Sequence, residues 1–166
     1  VFANNLAAQG SGIYVGCTGP SMPTSLTMIR STVSNNSVRT ITSGERAEGG
    51  GVYVGVCATA TITNSTITGN RATALYAVSR GGGIAIDATA ATITHTTIVA
   101  NTASDGGSTF SGATTSGGGL WTLWAPHVTL EATIIAGNRS ETGKACDTDD
   151  TSLATAGSNQ IGRAHV

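Results

Sequence analysis

The chain has 166 residues, of which only 10% are charged, and its formal net charge is −1. Its eight Lys and Arg residues are scattered singly, so no basic stripe is available to neutralise phosphates, and nucleic acid is excluded as an expected partner. Neither a signal peptide pattern nor an apolar run of roughly 18 residues occurs in this segment, which excludes a helical membrane span within it.

One pattern of glycines, apolar residues and a closing Asn recurs along the chain. It runs from Gly49 to Asn70, from Gly81 to Asn101 and from Gly117 to Asn138, and a looser copy runs from Gly10 to Asn36. Phe2-Ala3-Asn4-Asn5 matches the closing part of the pattern, so the chain is expected to begin inside a unit and to be a fragment of a longer solenoid. The units expected are a tail of a preceding coil (1–9), coil 1 (10–48), coil 2 (49–80), coil 3 (81–116), coil 4 (117–145) and a C-terminal closing segment (146–166).

Two kinds of strand are predicted within each unit. Alternation of Thr and Ile, as in Thr61-Ile62-Thr63, is typical of a strand with one buried face. The glycine triplets open another short strand, and each unit is expected to hold about three strands. Such a unit cannot bury its own apolar face, whereas parallel stacking of units closes a continuous core. The sequence therefore predicts an all-β fold, a right-handed parallel β-helix of about four coils.

The closing Asn of each unit is expected to have a structural role. Asn tolerates the left-handed backbone of a sharp corner, and its amide can pair with the Asn of the next coil. The repeat therefore predicts a buried ladder with the following members: Asn5, Asn36, Asn70, Asn101 and Asn138.

These motifs resemble a known class of repeats. GGG[VIL] followed by [FVI]-x-x-N, at 49–70, 81–101 and 117–138, resembles the right-handed β-helix repeats of bacterial surface proteins, including the polymorphic outer-membrane-protein type. Ile134-Ile135-Ala136-Gly137-Asn138, Cys146 and the stretch 157–162 are similar to the end of the β-helix in secreted choice-of-anchor Q proteins. The resemblance implies a pectin-lyase-like solenoid that is secreted or at the cell surface. It does not imply one activity, because such coils serve lyases, hydrolases and adhesins.

The carboxylates offer little evidence of catalysis. No two of them align in neighbouring coils, so no paired-carboxylate glycosidase site is visible, and no catalytic residue is assigned. Glu45, Arg46 and Glu48 could approach Arg80 and Asp105, although a solvated surface is the favoured interpretation. The acidic stretch at Asp147, Asp149 and Asp150 could hold Ca²⁺, but a plain polar loop is the simpler interpretation, and no other cofactor is expected.

Most of the few aromatic residues gather in one outward column. Tyr14, Tyr53 and Trp121 occupy equivalent positions, with Trp124 nearby. Exposed rings on a sheet can dock sugar rings, which makes carbohydrate or a cell-surface ligand the expected partner. The alternative is that long loops cover these rings and bury them.

Cys17 and Cys57 lie at similar places in successive units, so they could form a disulfide, or they could be buried free thiols. For the chain as a whole, we expect a surface-exposed or secreted module for display or adhesion, with possible glycan binding. The alternative is a polysaccharide-active lyase or glycoside hydrolase whose catalytic groups lie outside this segment or in the loops between repeats.

Overall fold

The computed structural model describes residues 1–7, 12–17, 22–87, 90–123, 127–142, 144–148 and 153–162. In chain order, the first 12 strands are β1 (Phe2–Ala3), β2 (Leu6–Ala7), β3 (Ile13–Val15), β4 (Thr24–Ile29), β5 (Thr32–Ser34), β6 (Ser37–Thr40), β7 (Ala47–Glu48), β8 (Val52–Val54), β9 (Ala58–Thr63), β10 (Thr66–Thr68), β11 (Arg71–Ala74) and β12 (Val78–Arg80). The others are β13 (Ile84–Ile86), β14 (Ala90–Thr94), β15 (Thr97–Val99), β16 (Thr102–Ser104), β17 (Thr114–Ser116), β18 (Leu120–Thr122), β19 (Val128–Glu131), β20 (Ile134–Ala136), β21 (Arg139–Ser140), β22 (Cys146–Thr148), β23 (Leu153–Ala156) and β24 (Gln160–Ile161).

Within the described ranges, these strands form five parallel sheets that run along one axis. Sheet I contains β3, β8, β13, β18 and β22, and sheet II contains β4, β9, β14, β19 and β23. Sheet III contains β1, β5, β10, β15, β20 and β24; sheet IV contains β2, β6, β11, β16 and β21; sheet V contains β7, β12 and β17. The chain passes through sheets I to V in turn and then starts again one level higher, so each circuit is one coil.

The predicted all-β parallel β-helix of about four coils is confirmed by this path. The estimate of about three strands per unit is too low, since a full coil such as β8 to β12 contains five. The additional strands are only two to four residues long, as in β7 and β11, and lack the Thr-Ile alternation that marks the longer ones. In the described part of the chain, no helix is long and apolar enough to span a membrane.

The core consists of like residues stacked in register. Val33 pairs with Ile67, Ile67 with Ile98 and Ile98 with Ile135, and all four side chains are fully buried. Similar columns come from sheets I and II, which are the following: Val52, Ile84 and Leu120; Ile62, Ile93 and Leu130. Because each β-branched or leucine side chain lies directly over its counterpart, the apolar interior is continuous from coil to coil.

The closing Asn side chains form a hydrogen-bonded ladder between sheets III and IV. Asn36 Nδ2 donates to Asn70 Oδ1 (3.0 Å), Asn70 Nδ2 to Asn101 Oδ1 (2.9 Å) and Asn101 Nδ2 to Asn138 Oδ1 (2.9 Å). Asn5 Nδ2 donates to Asn36 Oδ1 in the same way (2.9 Å). The same acceptor oxygens also receive backbone N–H groups, so the amides satisfy buried main-chain groups at the corner.

One detail of the expected corner is wrong. The left-handed backbone lies on the residue before each ladder Asn and not on the Asn itself. These residues and their φ angles are Asn4 (59°), Asn35 (54°), Gly69 (66°), Ala100 (56°) and Gly137 (61°). The preceding residue makes the turn, and the Asn that follows can therefore keep an ordinary backbone and direct its amide inward.

Candidate functional site

The aromatic column lies on the outer face of sheet I. Tyr14 pairs in register with Tyr53, Tyr53 with Ala85, Ala85 with Trp121, and Trp121 with Asp147. Parallel stacking of the coils thus brings together rings that are far apart in the sequence. It also places a small residue, Ala85, between the tyrosines and the tryptophan.

Tyr14 and Tyr53 form a stacked pair. Their ring centroids are 5.3 Å apart, and their planes differ by 15°. Each ring lies over the glycine two residues further along its strand: a Cβ on Gly16 would lie 2.9 Å from the Tyr14 hydroxyl oxygen, and one on Gly55 would lie 2.9 Å from Tyr53 Cε1. Because glycine has no side chain, each tyrosine ring can lie close to the backbone at these two positions. Tyr14 is 54% exposed and Tyr53 is half-buried.

Trp121 does not join this exposed surface, so its assignment as an outward ring for glycan binding is a wrong expectation. Its side chain is fully buried, and the Arg80 guanidinium lies over its ring at 4.4 Å from the centroid. Such a contact between a guanidinium and an indole is a cation–π interaction. Ala85, the register neighbour of Trp121 in the preceding coil, carries only a methyl group. Trp124, the fourth predicted residue, lies outside the described residues.

Beside the tyrosine pair is a small recess lined by Tyr14, Arg46, Glu48 and Tyr53. Glu48 Oε1 lies 3.5 Å from Arg80 Nη1 and 3.8 Å from Arg46 Nη1. The side chains of Glu48 and Arg80 are each 16% exposed, whereas that of Arg46 is 54% exposed. The recess thus combines two aromatic rings, a sheltered carboxylate and a guanidinium on its rim.

Burial dominates the electrostatics of the acidic groups here. It raises the pKa of Glu48 above its ordinary value, against the opposing effect of Arg80 and Arg46. Burial likewise raises the pKa of Asp87, which Arg46 and Arg80 partly offset. The pKa of Tyr53 is also raised, by burial and by the negative charges of Glu48 and Asp87. The tyrosine hydroxyl therefore stays protonated and can serve as a hydrogen-bond donor.

A family model described as "Right handed beta helix region" matches residues 11–164 of the chain. The chain belongs to this right-handed β-helix family. The match agrees with the path of the chain through the coils, and its description agrees with the right-handed turn predicted from the sequence. Comparison with curated proteins found no match, and comparison with solved structures found none either.

The recess of this β-helix contains residues whose role the repeat pattern did not reveal. Arg46, Glu48 and Arg80 come together, and Glu48 and Arg80 are half-buried, unlike the solvated surface that was favoured for them, whereas Arg46 stays exposed. Asp105 is not among their contacts; its carboxylate accepts the Gly107 N–H (2.8 Å). Asp87 follows Ile86 where Gly55 follows Val54, and this alignment was the available signal that it lies near Tyr53.

The acidic stretch of the calcium hypothesis is only partly described by the structure. Asp147 pairs with Lys144, with 2.8 Å between Oδ1 and Nζ. Asp149 and Asp150 lie outside the described residues. Among the residues that are described, no group of three or more His, Cys, Asp or Glu side chains could hold a metal ion.

Cys17 and Cys57 form a disulfide, with 6.1 Å between their Cα atoms. Each cysteine lies one or two residues after a glycine that a tyrosine ring covers: Gly16 in one coil and Gly55 in the next. The bond therefore joins the two coils of the β-helix that carry the ring pair. Cys146 is a free, half-buried thiol.

Proposed function

We propose that this β-helix protein binds carbohydrate through the Tyr14–Tyr53 pair and the adjoining recess. The observation that carries the proposal is the stacked pair itself: one ring is 54% exposed, and it borders a recess that holds Arg46 and Glu48. The C–H face of a sugar can pack against an aromatic ring, while its hydroxyls need donors and acceptors beside that ring. Arg46 supplies the donors and Glu48 supplies the acceptor.

A display or adhesion role fits such a site. In the β-helix, three features fix the positions of the two tyrosine rings: the register of the strands, the glycines beneath the rings, and a disulfide between the two coils. Disulfides persist mainly in oxidising compartments, which supports a secreted or cell-surface location. We propose that the protein displays the tyrosine pair to glycans outside the cell.

Binding to a glycan array, followed by titration calorimetry on the best ligand, tests this function. The variant Tyr14→Ala removes the exposed ring and should lower affinity about tenfold, as expected for a lost aromatic contact. Tyr76→Ala is the matched control, because Tyr76 is 46% exposed but packs edge-on against Phe110, 6.4 Å away between centroids. Equal affinity of Tyr14→Ala and the parent protein would refute the proposed site.

A second candidate is glycoside hydrolysis at the same recess. It is favoured by the raised pKa of Glu48, which a general acid needs, and by the proximity of Asp87 as a second carboxylate. Incubation with neutral and acidic polysaccharides should then release reducing ends, and Glu48→Gln should abolish the release. Polysaccharide that binds but stays intact over prolonged incubation would contradict the hydrolysis candidate and support binding as the function.

A further inference from the structure

The charged groups of the recess are unevenly available to a ligand. Arg80 is held between the Trp121 ring and Glu48, so it faces protein on two sides. Arg46 stands on the rim, 3.8 Å from the Glu48 carboxylate, and its charge also acts on Asp87. A ligand that enters therefore meets a guanidinium that already faces a carboxylate, and the carboxylate itself is only 16% exposed.

We propose that the recess selects a neutral hexopyranose with adjacent hydroxyls over an anionic sugar, and that Glu48 is the residue that sets this selectivity. The inference rests on the carbohydrate-binding function proposed for the tyrosine pair. It names the class of ligand that the charges next to the rings accept.

Hydrogen bonding explains the preference. One hydroxyl can donate to the Glu48 carboxylate while its neighbour accepts from Arg46, and the ring face packs on Tyr14. A sulfate or carboxylate on the sugar has no proton to give to Glu48 and carries the same charge. Because Glu48 is sheltered from water, solvent screens this repulsion poorly. Arg46 cannot fully offset this repulsion, because its positive charge already interacts with the Glu48 carboxylate.

The groups around Glu48 predict how the selectivity depends on pH. Arg80 and Arg46 favour the ionised carboxylate, whereas burial and Asp87 favour the protonated acid, and the balance raises the pKa. Tyr53 stays neutral, because its own pKa is raised. As the pH falls through the pKa of Glu48, its carboxylate is protonated and the repulsive charge disappears. Arg46 then becomes available to pair with an anion. Binding of an anionic sugar should therefore increase in acid.

A matched pair of probes tests this inference: the neutral oligosaccharide that binds best on the array, and the same oligosaccharide after sulfation. Sulfate keeps its charge across the range, so a pH effect reports on the protein. At neutral pH the neutral probe should bind at least tenfold more tightly. On acidification to about pH 4, near the ordinary pKa of Glu, the gap should narrow several-fold because the sulfated probe gains affinity.

Two variants assign the effect to Glu48. Glu48→Gln should bind the sulfated probe more tightly at neutral pH, and should gain less affinity in acid than the parent protein does. Glu131→Gln is the control, because Glu131 is an exposed carboxylate on sheet II. Melting curves establish that each variant is folded. Should Glu48→Gln fail to fold, the pH dependence of the parent protein with the sulfated probe still decides.

The possible failures are distinguishable. Tyr14-dependent binding of the sulfated probe as tight as that of the neutral one at neutral pH would overturn the selectivity and leave carbohydrate binding intact. A sulfated probe that gains no affinity in acid would likewise overturn the selectivity alone. Absence of binding to every glycan on the array would overturn both the selectivity and the proposed function.

Discussion

Gly83 and Asn101 depend on each other across the corner of one coil. A Cβ on Gly83 would lie 2.9 Å from Asn101 Nδ2, so the ladder amide occupies the space that a side chain would need. Gly51 stands in the same relation to Asn70 (2.9 Å), and Gly119 to Asn138 (2.5 Å). The two most regular features of the sequence, the glycine triplet and the closing Asn, are therefore two halves of one packing arrangement.

Asn101→Ala should destabilise the protein by about 1–3 kcal/mol, because it leaves buried partners without a hydrogen bond. Asn101 Nδ2 donates to Ile67 O, Val99 O and Asn138 Oδ1, and its Oδ1 accepts from Asn70. Chemical denaturation measures the loss. The control Thr92→Ala removes an exposed hydroxyl on sheet II and should change stability by less than about 0.5 kcal/mol. A parent-like midpoint for Asn101→Ala would argue against the ladder as a stabilising element.

Gly83→Ala should also destabilise, by about 1–3 kcal/mol, for the opposite reason: it adds an atom where none fits. The new Cβ would meet Gly119 O at 2.6 Å as well as the Asn101 amide. Gly162→Ala is the matched control, since its nearest contact would be an ordinary 3.6 Å to Ala136 Cβ. Thermal melting of the two variants compares them directly, and an unchanged melting temperature for Gly83→Ala would contradict the proposed contact.

The disulfide between Cys17 and Cys57 should contribute up to about 4 kcal/mol, the entropy expected for closing a loop of this size. The two cysteines are 40 residues apart. The double variant Cys17→Ser/Cys57→Ser, compared with the parent by denaturation, measures this contribution. Intact mass after alkylation in denaturant without reductant should show one modified cysteine. Three modified cysteines in protein recovered from an oxidising medium would show that the bond does not form there.

The sequence predicted those features that depend on register. In a parallel stack, each residue faces its equivalent one coil away, so the columns of Ile67 and Ile98, the Asn ladder and the alignment of Tyr14 with Tyr53 could all be read from the repeat. The left-handed residue was misplaced by one position, because Asn suits both a left-handed turn and an amide ladder. Here the two roles fall on neighbouring residues.

The recess could not be predicted in the same way, because it is formed where the repeat breaks. Glu48 and Arg80 end the short strands β7 and β12, which follow loops of different length. Arg80 lies over Trp121, two coils further along the chain, and the residue between them in the column, Ala85, is small. Column analysis compares equivalent positions, so it does not detect a side chain that crosses from one column to another.

Ala100→Gly should stabilise the protein by about 0.5–1 kcal/mol. Ala100 has a φ of 56°, in the left-handed region, where an L side chain costs about 1–2 kcal/mol. Glycine avoids this cost but loses about 0.5–1 kcal/mol of backbone entropy on folding. The equivalent residues, Gly69 and Gly137, are already glycines. The control Ala136→Gly lies within strand β20 and should be destabilising. A lower denaturation midpoint for Ala100→Gly would contradict the assigned backbone.

Cys146 should resist alkylation as long as the protein is folded. Burial raises the pKa of its thiol to about 12, with a further contribution from the charge of Asp147. Since the thiolate is the reactive form, its population near pH 8 should be about a thousandfold smaller than that of an ordinary cysteine. Iodoacetamide should leave native Cys146 unmodified over hours and modify it within minutes in denaturant. Rapid modification of the folded protein, located at Cys146 by peptide mapping, would show that this end of sheet I opens readily to solvent.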